Sequence, residues 1–196
     1  MRKFVLAVAA VVFTAGAALA AGESFINVKL GLDPIGNADI NSFGLGGSKN
    51  TKIGFSLAGE YLYQSTDMFS IGGGVEYLLP RQFDVSDGPK LSYLPIYATV
   101  KVNPIETAKE VFFKANLGYV VLFDMSDVPG ADKKGGMYYA IGAGYELPMG
   151  LTVDLFYSIY NTKLSYTGDF LGTPITVDVN CTYSKVGLNV GYRFKI

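Results

Sequence analysis

Nine ionisable side chains stand at alternate positions of apolar stretches, a spacing that brings such groups onto one shared surface. They are Lys29, Glu60, Glu76, Lys101, Lys114, Glu146, Asp154, Lys185 and Arg193, each with a large apolar neighbour in sequence. The carboxylates Glu60, Glu76, Glu146 and Asp154 could in principle supply a general acid and base. Lys and Arg share their rows, however, so mutual charge compensation is the better reading. The chain has no histidine, so no Ser–His or Asp–His arrangement can be built. Gly72-Gly73-Gly74 lies inside a strand pattern and opens no helix. It therefore reads as close packing rather than as a phosphate loop. Cys181 is the one cysteine, which excludes an internal disulfide framework. No catalytic residue, cofactor-binding residue or metal ligand is assigned, and no cofactor is expected.

The elements that must position these charges are strands. Lys185 to Ile196 sets Val186, Leu188, Val190, Tyr192, Phe194 and Ile196 on one row and Lys185, Gly187, Asn189, Gly191, Arg193 and Lys195 on the other. Period two means a β-strand with unlike faces. Seven further stretches alternate in the same way: Glu23–Leu32, Lys52–Gln64, Met68–Leu79, Leu91–Val102, Val111–Phe123, Gly136–Leu147 and Leu151–Tyr160. Pro95, inside the fourth, predicts a bulge or a break in pairing. The connections alternate in length. Asp33–Thr51, Pro80–Pro89, Asp124–Gly135 and Asn161–Ser184 are long, while Ser65–Asp67, Asn103–Glu110 and Pro148–Gly150 are short.

Every charge in these strands falls on one row, and the other row carries none. A Lys or Arg turned to lipid at mid-depth costs roughly 2–4 kcal/mol. The apolar rows are therefore read as facing lipid and the charged rows as facing the inside of a closed barrel. The fold class is all-β: an eight-stranded antiparallel up-and-down transmembrane β-barrel. Aromatics near the strand ends predict two girdles, with Tyr61, Tyr63, Phe69, Phe113, Tyr145, Tyr192 and Phe194 at one rim. Tyr77, Phe123, Tyr139 and Tyr157 lie toward the other. Composition agrees, with Gly 24, Tyr 14, Phe 13 and only 17% charged residues. The net charge of −1 gives no basis for a nucleic-acid partner.

Residues 1–20 read as a signal peptide, with Arg2 and Lys3, an apolar core from Phe4 to Phe13, and a small-x-small site at Ala18-Leu19-Ala20. Cleavage near Ala20 leaves residues 21–196 as the barrel domain. An even strand number then puts both termini on the periplasmic side.

Leader, eight alternating strands and the aromatic-rich C-terminal strand together resemble the small eight-stranded bacterial outer-membrane β-barrel family, of the OmpA transmembrane-domain and OmpX type. The runs Leu94-Pro95-Ile96-Tyr97-Ala98-Thr99-Val100-Lys101 and Lys114-Ala115-Asn116-Leu117-Gly118-Tyr119 fit its style. The resemblance implies location in the bacterial outer membrane and contact with outer-membrane lipids. It also implies periplasmic chaperones and the barrel-assembly machinery as partners, with Tyr192, Phe194 and Ile196 as the C-terminal assembly signal. Barrel lipases, deacylases, acyltransferases and proteases of this size use histidine, which is missing here. The function expected is non-enzymatic: structural, or surface interaction through long extracellular loops with an extracellular protein partner. The alternatives are a narrow pore or a small-molecule-binding barrel, with a lipid-modifying enzyme last.

The fourth long loop is the candidate interaction element. Odd positions are apolar through Ile159, but Leu164 and Tyr166 are even; Ile175, Val177, Val179, Cys181 and Tyr183 are odd, while the closing strand is even. A one-residue shift flips every side chain, so bulges are predicted near Asn161–Lys163 and near Ser184. The segment is then either a hairpin projecting above the membrane with an edge open to a partner strand, or a loop shielding the barrel mouth. Tyr166, Asp169, Phe170, Ile175 and Val177 are its candidate contact residues.

Overall fold

The computed structural model describes residues 22–42, 45–84, 90–105, 107–125, 131–170 and 173–196. The predicted leader and its cleavage site lie outside them. Ten strands follow in order: β1 (Glu23–Ser42), β2 (Leu45–Thr51), β3 (Gly54–Thr66), β4 (Phe69–Gln82), β5 (Lys90–Val102), β6 (Val111–Met125), β7 (Ala131–Lys134), β8 (Met137–Glu146), β9 (Leu151–Phe170) and β10 (Thr173–Lys195). Eight of them, β1, β3, β4, β5, β6, β8, β9 and β10, pair antiparallel with their neighbours, and β10 returns to pair with β1. The ring is closed, which removes the sheet edges within it.

Burial alternates around the ring as the charge rows require. Along β1, Phe25, Asn27, Lys29, Gly31 and Asp33 are buried, and Ile26, Val28, Leu30 and Leu32 are exposed. The exposed residues continue with Phe55, Leu57, Ile71, Val75, Leu117, Ile141, Leu155, Leu188 and Val190, forming an outer apolar belt. Water would make such a surface untenable; lipid makes it the stable one. Tyr77, Tyr139, Tyr145, Tyr192 and Phe194 are exposed on it. Two girdle assignments change. Phe123 is buried at 5% exposure. Tyr63 is buried too, its hydroxyl accepting from the Gly22 N–H at 2.8 Å.

The turn that joins β8 to β9 needs glycine. Gly150 has φ of 89°, the left-handed region that a Cβ disfavours. Its N–H donates to Leu147 O at 2.9 Å, and its own carbonyl accepts from Arg193 N at 2.8 Å, which ties the turn to β10.

Three bulges, each beside a proline, mark the upper part of the wall. Register slips between Leu32 and Ile35 against β10, between Leu78 and Arg81 against β5, and between Leu94 and Pro95 against β6. Pro34, Pro80 and Pro95 sit at these places, where a missing N–H breaks the ladder least. The predicted Pro95 bulge is thus found, with the extra residue on β6, and it turns Phe123 inward.

The predicted bulges at Asn161–Lys163 and Ser184 are not present. β9 and β10 pair without interruption from Tyr192↔Leu151 to Thr173↔Phe170. The row that faces inward keeps its phase through Phe156, Ser158, Tyr160, Thr162 and Leu164. What changes is the chemistry of the inside. Polar within the lipid band, the lumen is apolar above it, where water surrounds the barrel and ordinary apolar burial applies.

The first long loop is likewise a hairpin rather than irregular chain. β1 runs on to Ser42 and β2 pairs back on it from Leu45 to Thr51. β7 adds a short strand to the far edge of β9. Above the lipid band the order is therefore β2, β1, β10, β9, β7.

Candidate functional site

Strand register stacks the predicted charges in three tiers inside the barrel. At the end of the barrel that carries the chain termini Glu146 accepts from Lys101 at 2.5 Å and from Arg193 at 2.8 Å. The Arg193 guanidinium lies 3.7 Å from the Phe25 ring centroid, and the Lys101 ammonium 4.6 Å from that of Phe112. The middle tier joins Lys29 to Asp154 at 2.7 Å and to Glu60 at 3.2 Å, and Lys114 to Glu60 at 2.6 Å. Glu60 also accepts from the Tyr97 hydroxyl at 3.1 Å and from Asn27 Nδ2 at 3.3 Å. In the upper tier Lys185 bridges Glu76 at 2.7 Å and Asp33 at 2.9 Å.

All nine predicted interior charges are brought together. Sequence reasoning missed two more, Asp33 and Arg81, which pair at 2.5 Å with both side chains at 0% exposure. Both fell in segments read as loops. The available signals were the adjacent Pro34 and Pro80, whose bulges extend the strands past their apparent ends. Arg81 also donates to the Tyr183 hydroxyl at 2.6 Å.

Between the middle and upper tiers lies a cavity of about 20 Å³, lined by Lys29, Glu60, Glu76, Tyr97, Ser158 and Lys185 among others. It is the size of one water. Glycines make the tight fill possible. A Cβ on Gly74 would stand 2.9 Å from Tyr97 Cζ, and one on Gly118 2.6 Å from Tyr97 Cβ.

Above the charges the lumen is capped by rings. Tyr138, Tyr160, Tyr93 and Tyr183 follow one another with centroids 4.9 to 5.7 Å apart, and Phe123 stacks on Tyr93 at 5.2 Å. Tyr138 and Tyr160 donate to Glu76 at 3.4 and 3.1 Å, coupling cap to charge. Leu78, Leu91, Val120, Leu164 and Cys181 complete it. Cys181 is above the lipid band, and burial pushes its thiol up to about 11.

The candidate interaction residues divide. Tyr166 is half-buried and packs against the cap. Val177 is half-buried. Asp169, Phe170 and Ile175 take their places in the β9–β10 ladder, with side chains outside the described ones. The hairpin's edges are covered lower down: β1 pairs with β10 up to Asn180 and β7 with β9 up to Tyr166. Beyond those points, among the described residues, the two strands pair only with each other. At the other end Tyr192, Phe194 and Ile196 are 44%, 49% and 66% exposed, and Ile196 N–H donates to Ser24 O at 3.0 Å, closing the last rung. Among the described residues no group of three or more Cys, Asp or Glu side chains is placed to hold a metal ion.

Comparison with known proteins agrees with this architecture. The family model for the outer membrane protein beta-barrel domain matches residues 5–194. The solid-state NMR structure of outer membrane protein AlkL in lipid bilayers is similar, with a TM-score of 0.52 at 14% identity over 89% of this chain and 91% of that one. Ail, the attachment invasion locus protein of Yersinia pestis, gives 0.49 at 18% identity, covering 88% of this chain and 99% of Ail. OprG of Pseudomonas aeruginosa gives 0.48 at 19% identity over 89% and 96%. A search of the curated proteins returned no match.

Proposed function

The chain belongs to the outer membrane protein β-barrel domain family, and from that premise we propose that it is a non-enzymatic barrel that works through its extracellular face. The observation that carries this is the filled lumen. Three tiers of ion pairs and a stacked aromatic cap occupy it, and the cavity between the middle and upper tiers holds about 20 Å³. An interior so occupied supports neither a solute path nor a substrate pocket, since an eight-stranded barrel is only just wide enough for its side chains. Absence of histidine from the whole sequence removes the commonest general base.

The element we assign to engaging a partner is the β9–β10 hairpin above Tyr166 and Asn180, which among the described residues pairs only with itself, so its main-chain edges suit strand addition. Leader cleavage near Ala20, delivery by periplasmic chaperones, and recognition of Tyr192, Phe194 and Ile196 by the assembly machinery belong to the same proposal.

Residues 167–177 can be replaced by a short Gly-Ser turn without touching Leu164, Cys181 or Tyr183 of the cap. The expected result is a barrel that still folds, that conducts no stable current in planar bilayers, and that has lost adhesion of expressing cells to protein-coated surfaces. Unchanged adhesion would remove the hairpin from the proposal. Large, reproducible conductance of the intact protein would overturn the sealed-lumen reading.

A further inference from the structure

We propose that the three short turns at the end of the barrel that carries the chain termini are sunk in the headgroup–acyl boundary of the nearer lipid leaflet. These turns join β3 to β4, β5 to β6 and β8 to β9. Each carries an exposed apolar side chain, Met68, Ile105 and Met149 respectively, and Met149 is 69% exposed. Ile196, just past β10, is exposed at the same end. One such residue on a surface means little. One in every turn makes a rim, and that rim continues the lipid belt, since Phe69 beside Met68 and Phe194 near Ile196 are exposed on it.

The outward rows are too short for the hydrocarbon without this rim. On β9 the row runs Leu151, Val153, Leu155, Tyr157 and Ile159, and polar Asn161 and Lys163 follow. Leu151 and Ile159 stand eight residues apart. At about 3.3 Å per residue and a tilt near 40°, they span roughly 20 Å along the membrane normal, against an apolar band about 25 Å tall. Asn161 and Lys163 close the upper end, so the missing 5 Å or so, about two residues, falls below Leu151, where Met149 stands. On β10 the outward row from Val186 to Ile196 is ten residues long, roughly 25 Å, with polar Ser184 next above it. Both strands therefore bring the lower edge of the band to the turns.

Backbone groups that enter lipid must find partners within the protein, and the turn tips meet that condition. Met68 N–H donates to Thr66 Oγ1 at 3.3 Å, and the Met68 carbonyl accepts from Asn103 N–H at 2.9 Å. The Ile105 carbonyl accepts from Ala108 N–H at 3.1 Å, and Gly150 is bonded through both its N–H and its carbonyl. Asn103 Nδ2 donates to the carbonyls of Lys109 and Val111 at 2.7 and 3.2 Å, which closes the longest of the three turns. Lys109 reaches Asp67 in the neighbouring turn at 2.7 Å, and Lys195 pairs with Glu23. These four charges thus enter the interface as neutral pairs.

The chain contains no tryptophan, so one introduced indole reports alone. Met149→Trp, Ile105→Trp and, as an aqueous control, Thr176→Trp at the exposed hairpin are folded into phosphatidylcholine nanodiscs with and without bromine on the upper acyl carbons. Bromine should quench the two turn indoles about twofold and leave Thr176→Trp unchanged, while aqueous iodide should do the reverse. Indole itself favours the interface, so a second readout avoids it. In a Cys181→Ala background (or Cys181→Ser, should that misfold), Met149→Cys should react with a charged methanethiosulfonate roughly tenfold more slowly than Thr176→Cys, both faces of the disc being open to reagent. Heat-modifiable gel shifts check that each variant is folded. Equal labelling rates, or turn indoles quenched by iodide as the control is, would overturn the proposal and place the rim in water, open to a soluble partner.

Discussion

Glu60 is the side chain on which the middle tier depends, and Glu60→Gln is the sharpest perturbation of it. Lys114 has Glu60 as its ion-pair partner, whereas Lys29 keeps Asp154 at 2.7 Å when Glu60 is neutralised. Glu60→Gln therefore strands one ammonium whose side chain is 1% exposed. Breaking a buried pair by removing one partner costs about 3–5 kcal/mol, a factor of roughly 10² to 10⁴ in the folding equilibrium constant. Lys114→Met should be milder, about 1–2 kcal/mol, because Glu60 retains Lys29 and the neutral donors Tyr97 and Asn27. Combining the two restores charge balance and keeps an amide oxygen for both neutral donors. The double variant should lie within about 2 kcal/mol of wild type, well above Glu60→Gln alone. Reversible urea unfolding in lipid vesicles measures all three. A Glu60→Gln cost under about 1 kcal/mol, or a double variant no better than that single one, would refute the pairing assigned here.

On the lipid side, Leu117 is 56% exposed in the middle of β6. Leu117→Arg should destabilise the barrel by roughly 2–4 kcal/mol in vesicles while Leu117→Ile is nearly neutral; equal folding free energies would mean the faces are assigned wrongly. Cys181, buried with its thiol pushed up to about 11, should resist maleimide at pH 8 in the folded protein and react fully after unfolding. Rapid labelling of the native state would show that the cap is open.

The barrel itself was legible because one physical rule governs eight stretches at once. Lipid excludes charge from one face, and period two then names the other face, as Lys114 between Phe113 and Ala115 or Asp154 between Val153 and Leu155 illustrate. The nine interior charges followed from the same rule. Where reading failed, a second rule had taken over. Leu164, Val179, Cys181 and Tyr183 looked like a slipped register because apolar was taken to mean outward. Their strands keep phase and only the surrounding solvent changes. Asp33 and Arg81 were hidden for a different reason. A proline bulge places each beyond the apparent strand end, among Gly, Asn, Asp and Pro residues that signal loop. The β1–β2 hairpin was lost to the same local chemistry, since Gly46-Gly47-Ser48 carries no alternation to read.

The exchange of apolar character between the two faces also fixes how deep the protein sits. Ile159 lies outward on β9 and Leu164 inward, so the strand carries the position of the water surface within five residues. Sinking by one pleat repeat would bring Lys163 toward hydrocarbon, and rising by the same amount would lift Ile35 and Ile159 into water. Both displacements are opposed by the strand itself. In a thinner bilayer such a molecule cannot slide to relieve mismatch. The lipids around it must stretch or the whole barrel must lean, and the aromatic cap, held together in water, would be carried along unchanged.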